Sequence, residues 1–95
     1  MQISELQRTL RETYFERDAA RGADGTFRWL VEEVGELARA MRGRDRDNLA
    51  HEFSDVMSWL GSLANLCGVD LEAAARRYAE GCPRCEAMPC VCEPR

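Results

Sequence analysis

A chain of 95 residues, 45% of them apolar and 32% charged, makes one small domain that buries only about 60–65% of its unfolded surface and gains from association with a second copy. A net charge of −4 and an isoelectric point near 5.0 exclude a protein that holds long nucleic acid chiefly through phosphate contacts. No apolar run approaches the roughly 18 residues of a membrane span, and the opening MQISELQRTLRE lacks the basic and apolar regions of a secretory signal, so a cytoplasmic protein with no membrane partner is expected.

Gly22, Gly43, Gly68 and Gly81 each follow a helix-like stretch, where a left-handed residue past the helix end is commonly needed. Four helices are predicted. The first opens at Ser4 and Gln7, spaced as a capping box, and carries Ile3, Leu6, Leu10 and Tyr14 at helical spacing to about Arg21. The second starts near Thr26 and places Phe27, Leu30, Val31, Val34, Leu37, Ala38 and Met41 on one face. The third starts near Asp47 or Asn48 and repeats Leu49, Phe53, Val56, Met57, Leu60, Leu63, Ala64 and Cys67, with Cys67 expected as a small buried hydrophobe. The fourth is short, capped by Asp70 and running to about Glu80. Strand signals are absent, and connections as short as GRDRD and GVD favour antiparallel neighbours. The expected fold is a small all-α four-helix bundle over residues 1–81, with the second and third helices side by side.

From Cys82 the composition changes to CPRCEAMPCVCEPR, too rich in Pro and Cys to continue a helix, so residues 82–95 form a separate Cys-rich tail. Cys82, Cys85, Cys90 and Cys92 place four thiols within eleven residues, enough to close a tetrahedral structural Zn²⁺ site. Disulfides, which a reducing cytoplasm disfavours, and a redox or copper-binding tail are the alternatives.

In WLVEEVGEL the acids Glu32, Glu33 and Glu36 crowd about one helical turn, although like charges at i,i+4 destabilise a helix by roughly 0.2–0.5 kcal/mol per pair. On the third helix Glu52 and Asp55 also stand at the edge of the apolar stripe. If the two stripes share one core, Glu33 and Glu36 converge on Glu52 and Asp55 in the groove between the helices. Converging hard oxygens suit Mg²⁺ or Mn²⁺, which work with carboxylates, waters and substrate phosphates. The plain alternative is a solvated acidic face relieved by Arg28–Glu32 and Glu36–Arg39 pairs. Trp29 and Trp59 lie beside these acids and can stack on a base, or else fill an interface. The lone His51 forms no Glu-x-x-His, so the di-iron bundle pattern is not met; it reads as a surface residue or one that supports the site.

The pattern Glu32-Glu33-x-x-Glu36, fifteen residues, then Glu52-x-x-Asp55, within GTFRWLVEEVGELARAMR and EFSDVMSWLGSLANLCGVDLEAA, resembles the signature of the MazG-type all-α nucleoside triphosphate pyrophosphohydrolases. The likeness extends from about Gly22 to Gly81. It implies hydrolysis of a nucleoside triphosphate to monophosphate and pyrophosphate, with Mg²⁺ held by Glu33, Glu36, Glu52 and Asp55 and with Glu32 as a further ligand or water-orienting group. It also implies a homodimer or a dimer of dimers. The family's basic, lysine-containing stretch is replaced here by ARRYAEG, leaving Arg76 or Arg77 to meet phosphate. Two other readings stay open: the phosphoribosyl-ATP pyrophosphohydrolase branch, and a non-enzymatic helical interaction module with a zinc knuckle.

Overall fold

The first two predicted helices form one long helix broken at Gly22. In the computed structural model, which describes residues 1–94, α1 spans Ile3–Arg42, α2 spans Arg46–Cys67 and α3 spans Leu71–Ala75, followed by a 3₁₀ turn at Arg76–Tyr78. No strand occurs among the described residues. Gly22 sits at φ 86°, ψ 165° inside α1, a conformation essentially confined to glycine. It divides α1 into an arm of residues 3–21 and an arm of residues 23–42. Helix resumes directly after the break, so Thr26 lies inside the second arm instead of starting it.

Local chemistry sets the other ends. The Gln2 backbone N–H donates to the Glu5 carboxylate at 3.1 Å, so the capping box is Gln2–Glu5, earlier in the chain than the expected Ser4–Gln7. α2 begins where Asp45 accepts from the Asn48 N–H at 3.0 Å, slightly before the expected start. It ends at Gly68, left-handed at φ 68°, where Val69 N–H reaches the Ala64 carbonyl at 2.9 Å and Gly68 N–H reaches the Asn65 carbonyl at 3.4 Å; these are the two bonds of a Schellman motif. Gly43 differs from the expectation: its φ of −88° is ordinary extended backbone. Asp70 does cap α3, accepting from Ala73 N–H at 3.1 Å, but the α-helix gives way to the 3₁₀ turn five residues later.

Gln7, freed from capping, ties three elements together. Its amide donates to Asn65 Oδ1 at 3.1 Å and to the Val69 carbonyl at 2.7 Å. Its Oε1 accepts from Leu71 N–H at 2.9 Å. Ser4 N–H also donates to Glu72 at 3.1 Å, so the first arm is fastened to the α2–α3 corner by polar contacts.

The apolar core is thin. Among the described residues only Leu10, Ala40 and Ala64 are buried hydrophobic side chains, beside the buried polar residues Asp18, Thr26, Ser62 and Asn65. Along the second arm the residues turned inward are Thr26, Leu30, Glu33, Leu37 and Ala40, a 4-3-4-3 spacing that keeps one seam against a neighbouring helix. On α2 the matching positions are Leu49, Glu52, Asp55, Val56, Trp59 and Ser62. The stripes expected to share a core therefore meet only in part, through Leu30, Leu37, Leu49 and Val56. Phe27, Val31, Val34, Met41, Phe53, Met57 and Leu60 are all exposed, from 44% at Leu60 to 67% at Met41. The apolar surface of each helix is wider than one seam, and the acid-bearing edge is the part spent inside the chain. Cys67 is likewise exposed, at the last residue of α2.

The radius of gyration is 15.6 Å, against about 12–13 Å for a compact domain of this length. A hollow of 580 Å³ lined by Ile3, Leu6, Met57, Leu60, Leu71 and Tyr78, among others, shows where the packing is incomplete. No helix among the described residues is long and apolar enough to cross a membrane.

Candidate functional site

The seam between the second arm and α2 brings together Glu33, Glu52 and Asp55, all half-buried, each offering a carboxylate oxygen within 4.8 Å of the others. Antiparallel pairing makes this possible, since Glu33 follows Trp29 by four residues whereas Asp55 precedes Trp59 by four. Both carboxylates thus stand about 6 Å along the helix axis from the tryptophans, on the same side. Trp29 and Trp59 stack on each other with ring centroids 5.7 Å apart and planes 15° from parallel.

The acids are uncomfortable together. Partial burial first, then the charges of Asp55 and Glu52, and more weakly a hydrogen bond with Asp55 and the charge of Glu36, hold the Glu33 carboxyl above its ordinary value. A divalent cation removes that conflict. The donor set is oxygen only, as Mg²⁺ or Mn²⁺ favours and as Zn²⁺ or Cu²⁺ does not, so the residues present fit a hard cation.

Of the other candidates, Glu36 is exposed and pairs with Arg39 at 3.5 Å, contributing to the cluster through its charge on Glu33. Glu32 is exposed, outside the trio. Arg76 and Arg77 belong to the 3₁₀ turn, where the Arg77 guanidinium lies 5.6 Å from the Tyr78 ring centre and borders the apolar hollow. They do not share the carboxylate cluster.

Further groups adjoin the trio: His51, read from the sequence as a surface or supporting residue, and an Asp18–Arg21–Thr26 group that was not evident there. His51 Nε2 lies 3.3 Å from Asp55 Oδ2, so the exposed imidazole touches the cluster from outside. Behind the tryptophans, Arg21 stands 4.7 Å over the Trp59 ring and binds Asp18 at 3.0 Å and the Thr26 hydroxyl at 3.2 Å. Asp18 is 2% exposed and Thr26 fully buried, and one oxygen of Asp18 has no partner. The sequence signal was an Asp three residues before an Arg, directly ahead of a glycine; by itself that spacing reads as a solvated ion pair.

The tail forms a second cluster. Cys82, Cys85, Cys90 and Cys92 place their sulfurs within 4.8 Å of one another. The four thiols cannot share protons evenly. Backbone N–H groups of Val91 and Ala87 draw Cys85 down to about 6, while hydrogen bonds from Cys85, Cys90 and Cys82 push Cys92 up to about 12. No residue of 82–94 is buried, yet ordering residues 82–92 costs roughly 11–22 kcal/mol of backbone entropy.

An all-α chain with a broken first helix, three converging carboxylates in its central seam that could hold a cation and an aromatic pair one turn away belongs to the class of small helical domains built around a carboxylate cluster. The sequence model of the family described as MazG nucleotide pyrophosphohydrolase domain matches residues 21–84, and the chain belongs to that family. It is also similar to "Uncharacterized protein YvdC" of Bacillus subtilis (strain 168), at 32% identity over 97 residues, covering 84% of this chain and 92% of the relative.

Proposed function

We propose that the protein hydrolyses a nucleoside triphosphate, ribo or deoxyribo, to the monophosphate and pyrophosphate with Mg²⁺ or Mn²⁺, as a step in clearing the nucleotide pool. The observation that supports this most is the convergence of Glu33, Glu52 and Asp55 within 4.8 Å in the matched part of the chain. These three carboxylates hold the cation. Glu36, one turn beyond Glu33, extends the site once it lets go of Arg39, and Glu32 orients the attacking water. The bound cation supplies charge neutralisation for the triphosphate and for the developing pyrophosphate. The seam's serine, Ser62, is buried about two helical turns beyond Asp55 and no cysteine or lysine lines the seam, so water attacks the α-phosphorus and the bond to the bridging oxygen of the β-phosphate breaks. Trp29 and Trp59, stacked beside the acids, offer a ring face to the base, and Arg76 or Arg77 meets phosphate only if substrate or a second copy bridges the distance. Two copies form the working unit, in the cytoplasm.

Pyrophosphate release from a panel of canonical and modified nucleoside triphosphates, and from phosphoribosyl-ATP, tests the reading. The parent should release pyrophosphate only with Mg²⁺ or Mn²⁺, and Glu33→Gln or Asp55→Asn should lower kcat/KM by about 100-fold or more while remaining helical. Release from phosphoribosyl-ATP alone would reassign the substrate. Silence across the panel from folded, metal-supplied protein would leave a helical interaction module.

A further inference from the structure

We propose that Cys82, Cys85, Cys90 and Cys92 form a closed tetrathiolate Zn²⁺ site that holds residues 82–92 in their observed conformation. This goes beyond the hydrolase reading and does not depend on it. A zinc ion with four sulfurs at about 2.3 Å sits inside a tetrahedron whose edges are about 3.8 Å. Cys82 and Cys92 have their sulfurs 3.8 Å apart, and Cys85 and Cys90 theirs 3.9 Å apart. The two pairs share no member, both match that edge length, and all four sulfurs lie within 4.8 Å of one another, the compactness that four thiolates need to meet a single ion.

The backbone is organised around the same centre. Val91 N–H donates to Cys85 Sγ at 3.5 Å and Cys92 N–H to Cys90 Sγ at 3.3 Å; N–H groups aimed at sulfur stabilise thiolate and set the direction of its lone pairs. The chain folds back sharply to make this possible. Cys82 N–H reaches the Ala87 carbonyl at 3.1 Å and Glu86 N–H the Cys82 carbonyl at 2.7 Å. Glu86 takes a left-handed φ of 60°. At Gly81, φ 104°, a Cβ would stand 2.7 Å from the Ala87 carbonyl oxygen.

Hydrophobic burial does not hold this shape. Met88 is 79% exposed and Val91 76%, and the segment contains no helix or strand. A ligand that binds only the ordered form supplies the missing stabilisation, as structural zinc does in small domains. Soft sulfur donors also separate this centre from the oxygen-only seam: Zn²⁺ is drawn to the tail and Mg²⁺ to the carboxylates. All four positions are taken by protein, which makes the site structural and leaves no open coordination for a substrate.

Metal analysis of the full chain, purified without added metal and dialysed, should find one zinc per chain. Replacement by Co²⁺ should give intense tetrahedral d–d bands with near-ultraviolet thiolate-to-metal charge transfer, a signature that needs no variant to fold. Cys85→Ser and Cys90→Ser should each weaken zinc binding by at least about 100-fold, whereas Cys67→Ser, at the exposed cysteine outside the cluster, should keep it. Metal-free protein with all four tail thiols freely reactive, the same cysteines joined as disulfides, or iron in place of zinc would each overturn the proposal.

Discussion

Glu33 stands where partial burial and the like charges of Asp55, Glu52 and, more weakly, Glu36 act on one carboxyl. Its pKa in the folded, cation-free chain lies above the ordinary value, so the folded state keeps this proton to higher pH than the unfolded chain does. That contribution is fully present below the unfolded pKa and is lost as pH rises through the folded one. The cation-free protein should therefore become less stable as pH rises through the folded pKa, and Mg²⁺ should restore stability once the proton is gone. Glu33→Gln should raise the melting temperature of the cation-free protein, by the few tenths to about 1 kcal/mol that two such like-charge pairs are worth at a half-exposed site, and should remove most of the Mg²⁺ response. Thermal melts with and without Mg²⁺ across pH decide it; a variant less stable than the parent and still responsive would sink the assignment. The ion pair behind Trp59 gives a contrast. Arg21→Met leaves the almost fully buried Asp18 carboxylate without its partner and should destabilise by about 2–4 kcal/mol, whereas Arg39→Met breaks only the exposed pair to Glu36 and should change stability by less than about 1 kcal/mol. Denaturant titration of the two variants side by side separates these outcomes.

At the scale of elements, three glycines that look alike in sequence have different duties. Gly22 at φ 86°, ψ 165° and Gly68 at φ 68° need conformations that an L side chain resists, while Gly43 at −88° does not. Gly22→Ala should cost about 1–3 kcal/mol although nothing lies within 4 Å of the added methyl, Gly68→Ala about 1–2 kcal/mol, and Gly43→Ala close to nothing. Equal melting temperatures for the Gly22 and Gly43 variants would show that the break in α1 is dispensable. Helix existence, the antiparallel pairing of the acid-bearing helices and the Asp70 cap were legible in sequence because each rests on local periodicity or on one hydrogen bond. The face was not. Glu33 and Val34 differ by about 100° around the helix, and only the actual neighbour decides whether a wide apolar stripe turns inward or its acidic edge does. Gln7 was misread for a related reason: the three-residue spacing of a capping box is common, and its true partners, Asn65, Val69 and Leu71, lie more than fifty residues away. The three central carboxylates were recognisable as a pattern spanning two helices. The Asp18–Arg21–Thr26 support was hidden because burial of a charged side chain leaves no trace in spacing.

The whole molecule exposes 7500 Å², whereas a compact monomer of 10.8 kDa exposes roughly 5,500 Å². The exposed tail contributes to the roughly 2,000 Å² excess, as do the outward side chains of Phe27, Val31, Val34, Phe53, Met57 and Leu60 and the adjoining hollow. Isolated exposed hydrophobes are ordinary, but a contiguous patch of this extent is not, and a standard interface hides about 800 Å² on each partner. A second copy of the chain would supply the same stripe in two-fold register and cover both at once; that is the assembly we propose. Light scattering in solution should accordingly give twice the chain mass of 10.8 kDa, or four times it for a dimer of dimers, and thermal stability should rise with protein concentration. Met57→Glu and Val34→Glu should convert the protein to monomers with loss of helical signal, because each buries a charge without a partner at the two-fold contact, while Met88→Glu in the exposed tail should leave the assembly intact. A parent of single-chain mass at micromolar concentration, with a cooperative melt, would mean that this thin core of Leu10, Ala40 and Ala64 holds the fold unaided, and the outward stripe would then have to be covered by something other than its own copy.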